Sequence, residues 1–457
     1  MVTVTSIGFP LFVAVLGLFW FRLPAQRRWL AMAVASGLFY LLLDAKGFPV
    51  LLLCTTVVWQ CALRLEKGKG WLALGLAGAL APLLLLKYSG MVAASLAGLW
   101  QPLGISYFSL QLTGYLLDVK RGNFTAEKRF LRLFCYAGFF LSITQGPFNR
   151  YNMLMPQLEQ PVEWDGARLW HGAQRMAWGY FKKYAVADRA AVAVNSAFAD
   201  PSRYDRSQLI FAAVLFAFQL YADFSGYTDI VLGAGECLGL RLPENFRQPF
   251  LAVSVQEFWS RWHISLSQWF RDYVYIPLGG SRCSPVRRDG NLILTFLVSG
   301  LWHGASWTFV VWGCLQGLIQ SLENHLPWRK AFTKGKARVL GVVGTFTVFI
   351  MTLTIFRADS FATAALYFKG ILFNSGCRVF SEYWLLGIGS RLEVVQLLLG
   401  VVMLIAVDVL HERKIHLRDW VAARSAPVRL LVYEAGFLLF LFMGYFLGGG
   451  GFLYARF

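Results

Sequence analysis

Charge is scarce in this chain. Only 15% of its 457 residues are Asp, Glu, Lys or Arg, against 57% apolar or aromatic, and mean hydropathy is +0.52. A soluble chain of this length would form two or three domains with roughly a quarter of their residues charged, so that class is excluded. Acidic residues are scarcer still: 25 Asp and Glu face 43 Lys and Arg, a net charge of +18. The sequence has no RNP-like, zinc-finger or helix-turn-helix pattern to match that charge, which excludes nucleic acid as its partner. Its seven cysteines, at 54, 61, 135, 237, 283, 314 and 377, contain no CxxC and lie partly inside apolar runs. They read as small core hydrophobes, neither a disulfide framework nor a metal site. HExxH and GxSxG are also missing, which removes the zinc-protease and serine-hydrolase readings. No internal repeat and no soluble domain is visible.

What the chain has is long hydrophobic runs, near 3–21, 29–43, 47–63, 70–86, 103–118, 130–147, 171–198, 208–222, 227–240, 291–323, 338–356, 391–410 and 428–452. Nearly uncharged stretches of this length mark spanning helices. The expected fold is an all-α polytopic integral membrane protein with about ten to twelve crossings, some of the runs being re-entrant or amphipathic. The first run lacks a basic region before it and is too long for a cleaved signal, so it is expected to be the first span. Basic connections follow the first run (Arg22, Arg27, Arg28), the third (Arg64, Lys67, Lys69) and the fifth (Lys120, Arg121, Lys128, Arg129). The positive-inside rule places them in the cytoplasm and the N-terminus outside. Lys and Arg flanking the spans would meet anionic lipid headgroups, making membrane lipids expected partners. One membrane-embedded domain over 1–457 is expected: N-terminal helices in 1–128, a core in 129–326 and C-terminal helices in 327–457.

Residues 241–290 differ from the rest. They mix Arg, Gln, Glu, Asp and Pro with many aromatics, too polar for a lipid-facing span and too aromatic for a solvated loop. Polar backbone at membrane depth is tolerated only inside protein or around a wet cavity. A site is therefore expected here. SVQE (254–257) has capping-box spacing, predicting a helix from about 255 until Pro277 and Gly279-Gly280 stop it. On such a helix Glu257, Arg261, Ser265, Gln268 and Asp272 share one face, Phe258, Trp262, Leu266, Trp269 and Tyr273 the next, and His263 lies among Trp259 and Phe270.

A second histidine, His303, sits in SGLWHGASWTFVVWG (299–313). If 291–313 is helical, Asn291, Thr295, Ser299, His303 and Ser306 form one stripe in an otherwise apolar segment. Gly300 and Gly304 form a small-xxx-small pair suited to close helix contact. Arg287 and Arg288 before it and Arg329 and Lys330 after it suggest that the segment enters the membrane and returns. An ionisable group inside a bilayer is costly and usually marks a pathway or a reaction site; the bland alternative is a core imidazole satisfied by Ser299 or a neighbouring helix. No third ligand is fixed by spacing for a metal at the two histidines. A neutral imidazole acting as general base towards a hydroxyl or thiol remains. A second imidazole would orient the acceptor or steady a developing oxyanion. Acyl transfer fits these parts without a metal or a bound cofactor.

EFWSRWHISLSQWFRDYVYIPLGG (257–280) followed by NLILTFLVSGLWHGASWTFVVWG (291–313) resembles the membrane-bound O-acyltransferase family, in its bacterial branch of alginate-type polysaccharide O-acetyltransferases. PLGISYFSLQLTGYLLDVKRG (102–122), QGPFNRYNMLMPQLEQ (145–160), GYFKKYAVADRAA (179–191), YADFSGYTDIVLGAGECLGLRLPENFRQPF (221–250) and IFRADSFATAALYFKGILF (355–373) are similar to that branch in its usual order. The resemblance covers most of the chain and implies a bundle of membrane helices around a tunnel to the catalytic histidine. It maps the near-invariant histidine onto His303 and a second position, His in this branch and Asn in the eukaryotic one, onto His263.

The resemblance further implies a bacterial inner-membrane enzyme that takes acetyl from a cytoplasmic thioester, acetyl-CoA above all, and passes it across the membrane. The receiver would be a separate periplasmic or extracellular acetyltransferase or the polysaccharide itself. Trp302, Trp259, Ser299, Ser265, Lys182, Lys183, Asp188, Asp223, Arg271 and Asp272 are the accompanying candidates for substrate contact. Asp223 and Asp229 flank FSGYT, where Gly226 is expected to break a helix; pairing with Arg261, Arg271 or Arg247 is the structural alternative for these acids. Rival readings are D-alanyl transfer to teichoic acid from a carrier protein, peptidoglycan O-acetylation, and, from other classes, a scaffold or a transporter. Against the transporter stands the lack of inverted repeats.

Overall fold

The structure is a computed structural model that describes residues 3–6, 8–92, 99–326, 331–332, 335–376 and 386–446; Arg329, Lys330 and Cys377 lie outside these. It is helical throughout, and among the described residues the only extended pairing is an isolated bridge between Phe246 and Trp262. The helices in order are α1 Gly8–Trp20, α2 Ala25–Asp44, α3 Phe48–Ala62, α4 Lys69–Val92, α5 Ile105–Lys120, α6 Phe130–Ala137, α7 Tyr151–Leu154, α8 Gly166–Phe181, α9 Asp188–Ala199 and α10 Arg206–Cys237. They continue with α11 Val255–Arg261, α12 Ile264–Phe270, α13 Pro285–His303, α14 Trp307–His325, α15 Gly335–Arg357, α16 Phe361–Phe373, α17 Arg391–Glu412, α18 Leu417–Ala422 and α19 Ala426–Met443. Five of the described helices are long and apolar enough to cross a bilayer: Lys69–Met91 of α4, α10, α15, α17 and α19; α1, α3 and α16 are apolar but shorter.

Several runs fold differently from the expectation. The two runs 208–222 and 227–240 form the single helix α10, which Gly226 does not break. A Cβ there would meet the Gly179 carbonyl at 2.8 Å, so Gly226 serves a close helix approach instead. The run 130–147 gives only the eight-residue α6 followed by turns. Between α8 and α9 the chain stays helical but widens to a π turn over Lys182–Ala187. Such wide turns occur mostly as single insertions within α-helices.

The chain divides into two compact units. The first comprises Met1–Met176, Thr228–Glu244 and Ser265–Leu278. Its buried charges are satisfied one by one. The guanidinium of Arg28 donates to the carbonyls of Leu23, Gln160 and Val162 at 3.1–3.3 Å. Glu127 accepts from Tyr151 Oη at 2.6 Å and pairs with Arg132 at 2.8 Å. Arg175 holds Asp229 at 3.0 Å and Glu244 through both terminal nitrogens at 2.8 and 2.6 Å. Asp229 is therefore paired with a residue the sequence reading did not consider. Where α8 meets the end of α10, a Cβ on Gly172 would lie 2.6 Å from the Gly233 carbonyl and 2.9 Å from the Cys237 nitrogen.

The second unit comprises Ala177–Tyr227, Asn245–Ile264 and Gly279–Phe457. Its centre is an antiparallel hairpin of α13 and α14. Gly300 lies against Phe309 and Gly313, Gly313 against Phe296, and Gly317 against Ile293, so bare backbone meets backbone. At the open end His325 Nε2 lies 2.7 Å from Asp289. Helix α15 packs on this hairpin, where Gln316 donates to Thr352 Oγ1 at 2.8 Å. Arg261 bridges Glu257 and Glu412 at 2.5 and 2.8 Å, and Arg338 reaches Glu412 at 2.9 Å.

A branched side chain at Gly172 has no room. Gly172→Leu is expected to lower the thermal midpoint of the detergent-solubilised protein by an amount corresponding to about 1–3 kcal/mol of overpacking or more. Gly166→Leu, at a position with nothing within 4 Å, leaves it nearly unchanged. Equal midpoints for the two variants in a melting assay would contradict this packing.

Candidate active site

His263 owes its position to a break in the helix. Ser254 caps α11, its Oγ accepting the Glu257 N–H at 3.1 Å, as SVQE leads one to expect. The Glu257 carboxylate reaches back to the Val253 N–H at 2.9 Å, one residue before the cap. Glu323 adds the last two acceptors, taking the N–H groups of Val255 and Gln256 at 2.8 Å each. The helix then stops at Arg261 instead of running to Pro277. The main chain of 245–247 intervenes: the Arg247 N–H donates to the Arg261 carbonyl at 2.9 Å, and the Ile264 N–H to the Asn245 carbonyl at 3.0 Å. Between these bonds His263 adopts φ 43°. A left-handed conformation is uncommon for a residue other than glycine and costs of order 1–3 kcal/mol. After it come α12 and a π turn over Arg271–Tyr275.

The break dissolves the polar face expected for a continuous helix. Arg261 pairs with Glu257 on its own helix and with Glu412 of α17. In the first unit Ser265 Oγ accepts the Phe148 N–H at 2.9 Å, and Asp272 binds Arg150 at 2.7 Å. Arg271 is largely exposed and reaches only its neighbour Asp272 at 2.8 Å.

The His263 ring is 2% exposed and lies edge to face with Phe224, the centroids 4.7 Å apart. Its Nδ1 lies 3.4 Å from Asn245 Oδ1. On another side stands Trp302, its centroid 6.1 Å away. The opposite neighbour of Trp302 is His303, at 5.1 Å. The two imidazoles thus flank one indole.

His303 is the last residue of α13. The expected helix over 291–313 ends here, because Gly304 is extended at φ −175° and a Cβ on it would overlap the Phe309 ring. Ser306 leaves the expected stripe and becomes the N-cap of α14, its Oγ accepting the Thr308 N–H at 3.3 Å. Asn291, Thr295 and His303 remain together on the buried face of α13, with Ser299 half-buried between them. Asn291 ties this helix to the Gly280 carbonyl at 3.3 Å. The His303 ring is closed in by Trp312 and Phe356, each with its centroid 5.3 Å away and nearly perpendicular. Trp259 stands against Trp312 at 5.7 Å, and its Nε1 donates to Gln316 at 3.3 Å.

The structure therefore gathers His263, His303, Trp302 and Trp259. Asn245, Phe224, Trp312 and Phe356 complete the site, and no periodicity or spacing singled them out. The lysine block forms its own cluster. Lys183, 1% exposed, sits between Asp188 and Asp223 at 2.8 Å each. Asp223 thus pairs with Lys183, not with Arg261, Arg271 or Arg247. Lys182 donates to Ser225 Oγ at 3.1 Å and lies over the rings of Trp178 and Tyr221. Among the described residues no three His, Cys, Asp or Glu side chains gather to hold a metal ion.

Four variants test this geometry. His263→Asn keeps a residue type that tolerates the left-handed conformation, so its thermal midpoint should stay near that of the wild type. His263→Val, branched at Cβ, should lose roughly 1–3 kcal/mol. Lys183→Met strands two carboxylates and should cost about 3–5 kcal/mol, a loss that adding Asp223→Asn partly restores. Unfolding in a denaturant series reads all four, and an Asn variant as unstable as the Val variant would contradict the strained turn.

The chain is similar to known proteins over most of its length. A model of the membrane-bound O-acyltransferase family matches residues 128–363, a span that holds both histidines and the lysine cluster. The probable alginate O-acetylase AlgI of Azotobacter vinelandii is 33% identical over 378 residues, covering 78% of this chain and 74% of that protein. The peptidoglycan O-acetyltransferase of Helicobacter pylori is 30% identical over 392 residues, covering 76% of this chain and 74% of its own length. The teichoic acid D-alanyltransferase of Bacillus subtilis is 26% identical over 280 residues, covering 57% and 69%. An all-helical membrane chain with this match over most of its length belongs to the membrane-bound O-acyltransferase family and is an O-acyltransferase.

Proposed function

We propose that the protein transfers an acetyl group from a cytoplasmic thioester, acetyl-CoA, across the bacterial inner membrane for O-acetylation of an exopolysaccharide. The observation that carries this reading is the pair of buried imidazoles flanking Trp302. His303 is the general base. It takes the proton of the attacking hydroxyl as the oxygen bonds to the thioester carbonyl carbon, and returns it to the sulfur when the C–S bond breaks. His263 places the acceptor, its ring held in one orientation by Asn245, Phe224 and the strained main chain. The walls of Trp302, Trp312 and Phe356 keep water from the thioester, so the sugar or carrier hydroxyl competes with hydrolysis on favourable terms.

The names of the relatives support O-acylation of a cell-surface polymer, with alginate foremost and peptidoglycan next. No segment of the chain reads as a sugar-binding domain. A separate periplasmic or extracellular acetyltransferase therefore completes the transfer, and membrane lipids surround the helices. The similarity to a D-alanyltransferase makes a carrier-protein thioester the second candidate donor.

The test follows free CoA released from acetyl-CoA by the protein in lipid nanodiscs, with a hydroxyl acceptor present. Loss of a general base costs typically 10²–10⁴-fold, so His303→Ala should reduce release by about that factor. His263→Asn should act mainly through the dependence on acceptor concentration. Wild-type release with His303→Ala equally active would sink the histidine mechanism. Turnover with an acyl carrier protein and none with acetyl-CoA would replace the donor.

A further inference from the structure

We propose that the indole N–H of Trp312 is the hydrogen-bond donor to the thioester carbonyl oxygen as negative charge develops on it. This deepens the acyl-transfer reading above and rests on it.

Trp312 is 3% exposed, and among the described residues its buried Nε1 meets no hydrogen-bond acceptor. Leaving a buried donor unsatisfied costs roughly 1–3 kcal/mol. A phenylalanine would line the same wall without that penalty, as Phe356 does on the adjoining side of His303. The contrast with Trp259 is direct. That indole packs against Trp312, yet its own N–H is satisfied by Gln316, one turn further along α14. Gln316 is in turn fixed by Thr352, so it is committed elsewhere. Helix α14 therefore holds one indole donor open on the ring that packs directly against His303, on a hairpin whose glycine contacts keep α13 and α14 in register.

The chemistry at His303 calls for such a group. When the acceptor oxygen bonds to the carbonyl carbon, the hydroxyl proton goes to His303 and the carbonyl π pair moves onto oxygen. The oxyanion forms on the same carbon that the His303-activated oxygen attacks, two bonds from that oxygen. Donors aimed at this oxygen in a dry site are among the largest single contributions to catalysis. When the tetrahedral species collapses, the pair returns to the carbonyl, the C–S bond breaks and the thiolate takes the proton from His303. The donor is neutral throughout and keeps its own proton.

The experiment uses the full-length protein in nanodiscs and compares the wild type, Trp312→Phe, His303→Ala, and the enzyme with Trp312 replaced by 3-benzothienylalanine. That analogue has the indole's shape with sulfur in place of N–H. Three properties are measured: kcat and KM for acetyl-CoA, binding of S-ethyl-CoA, which lacks the thioester carbonyl oxygen, and the thermal midpoint. Loss of one oxyanion donor costs about 10²–10³-fold, so both position-312 replacements should lose kcat by that factor. KM and S-ethyl-CoA affinity should stay near the wild type, and the midpoint should hold or rise because an unsatisfied donor is gone. A benzothienylalanine enzyme with wild-type kcat, beside an inactive His303→Ala, would overturn the role of Trp312 and leave the acyl-transfer reading standing. A fall in kcat matched by equal losses in S-ethyl-CoA binding and midpoint would assign Trp312 to packing. Full activity in His303→Ala would remove the histidine reading and this proposal together.

Discussion

A charge buried in an apolar helix bundle survives only beside something that satisfies it, and the placement of polar residues in this protein follows from that rule. Lys183 lies between two aspartates. Arg175 takes two acids. Arg28 has no acid and uses three carbonyls instead. Each cluster ties helices that sequence order keeps apart. The π turn at Lys182–Ala187 belongs to the same pattern, since it brings both Lys183 and Asp188 to Asp223. Charge here is structural wherever it is paired.

The two histidines obey a different constraint. Both are set by helix ends and by aromatic faces: His263 in the turn between α11 and α12, His303 at the tip of α13. Helix ends are where a side chain can be presented without a neighbouring turn covering it, and aromatic walls exclude water without supplying competing hydrogen bonds. The strain at His263 is stabilised by the main-chain bonds to Asn245 and Arg247 on either side. That combination, a locally unfavourable conformation held by a rigid frame, is typical of functional positions.

Much of this was legible in the sequence. Hydropathy located the long helices α15 and α17 but split α10 into two runs, and the Ser254–Glu257 spacing found the start of α11. Of the expected Gly300–Gly304 pair, Gly300 does make the close helix contact, whereas Gly304 ends a helix instead of packing one. His303 stood out because an imidazole in so apolar a run needs a reason. The break before His263 was illegible, since RWHIS contains neither glycine nor proline. Its cause is the backbone of residues 245–247, a tertiary partner that no local pattern reveals. The same holds for Asp223 and Asp229. Their acidity invited an arginine partner, but which cation lies within reach depends on how α8 and its π turn pass α10. Trp312 looked like one more aromatic of a hydrophobic helix, and only the satisfied neighbour Trp259 makes its open donor visible.

At Gly300 and Gly313 the hairpin of α13 and α14 brings backbone against backbone: the carbonyls of Phe296 and Phe309 and the Cα atoms of the two glycines face one another directly. Ordinary helix pairs drift as their interdigitating side chains change over generations, because each substitution resets the spacing. A seam of bare backbone has nothing to reset. The rest of the bundle can exchange leucines for valines and adapt to different lipids or acceptors. The position of the His303 imidazole relative to α14 stays fixed like a gauge block in a machine whose other parts are free to wear.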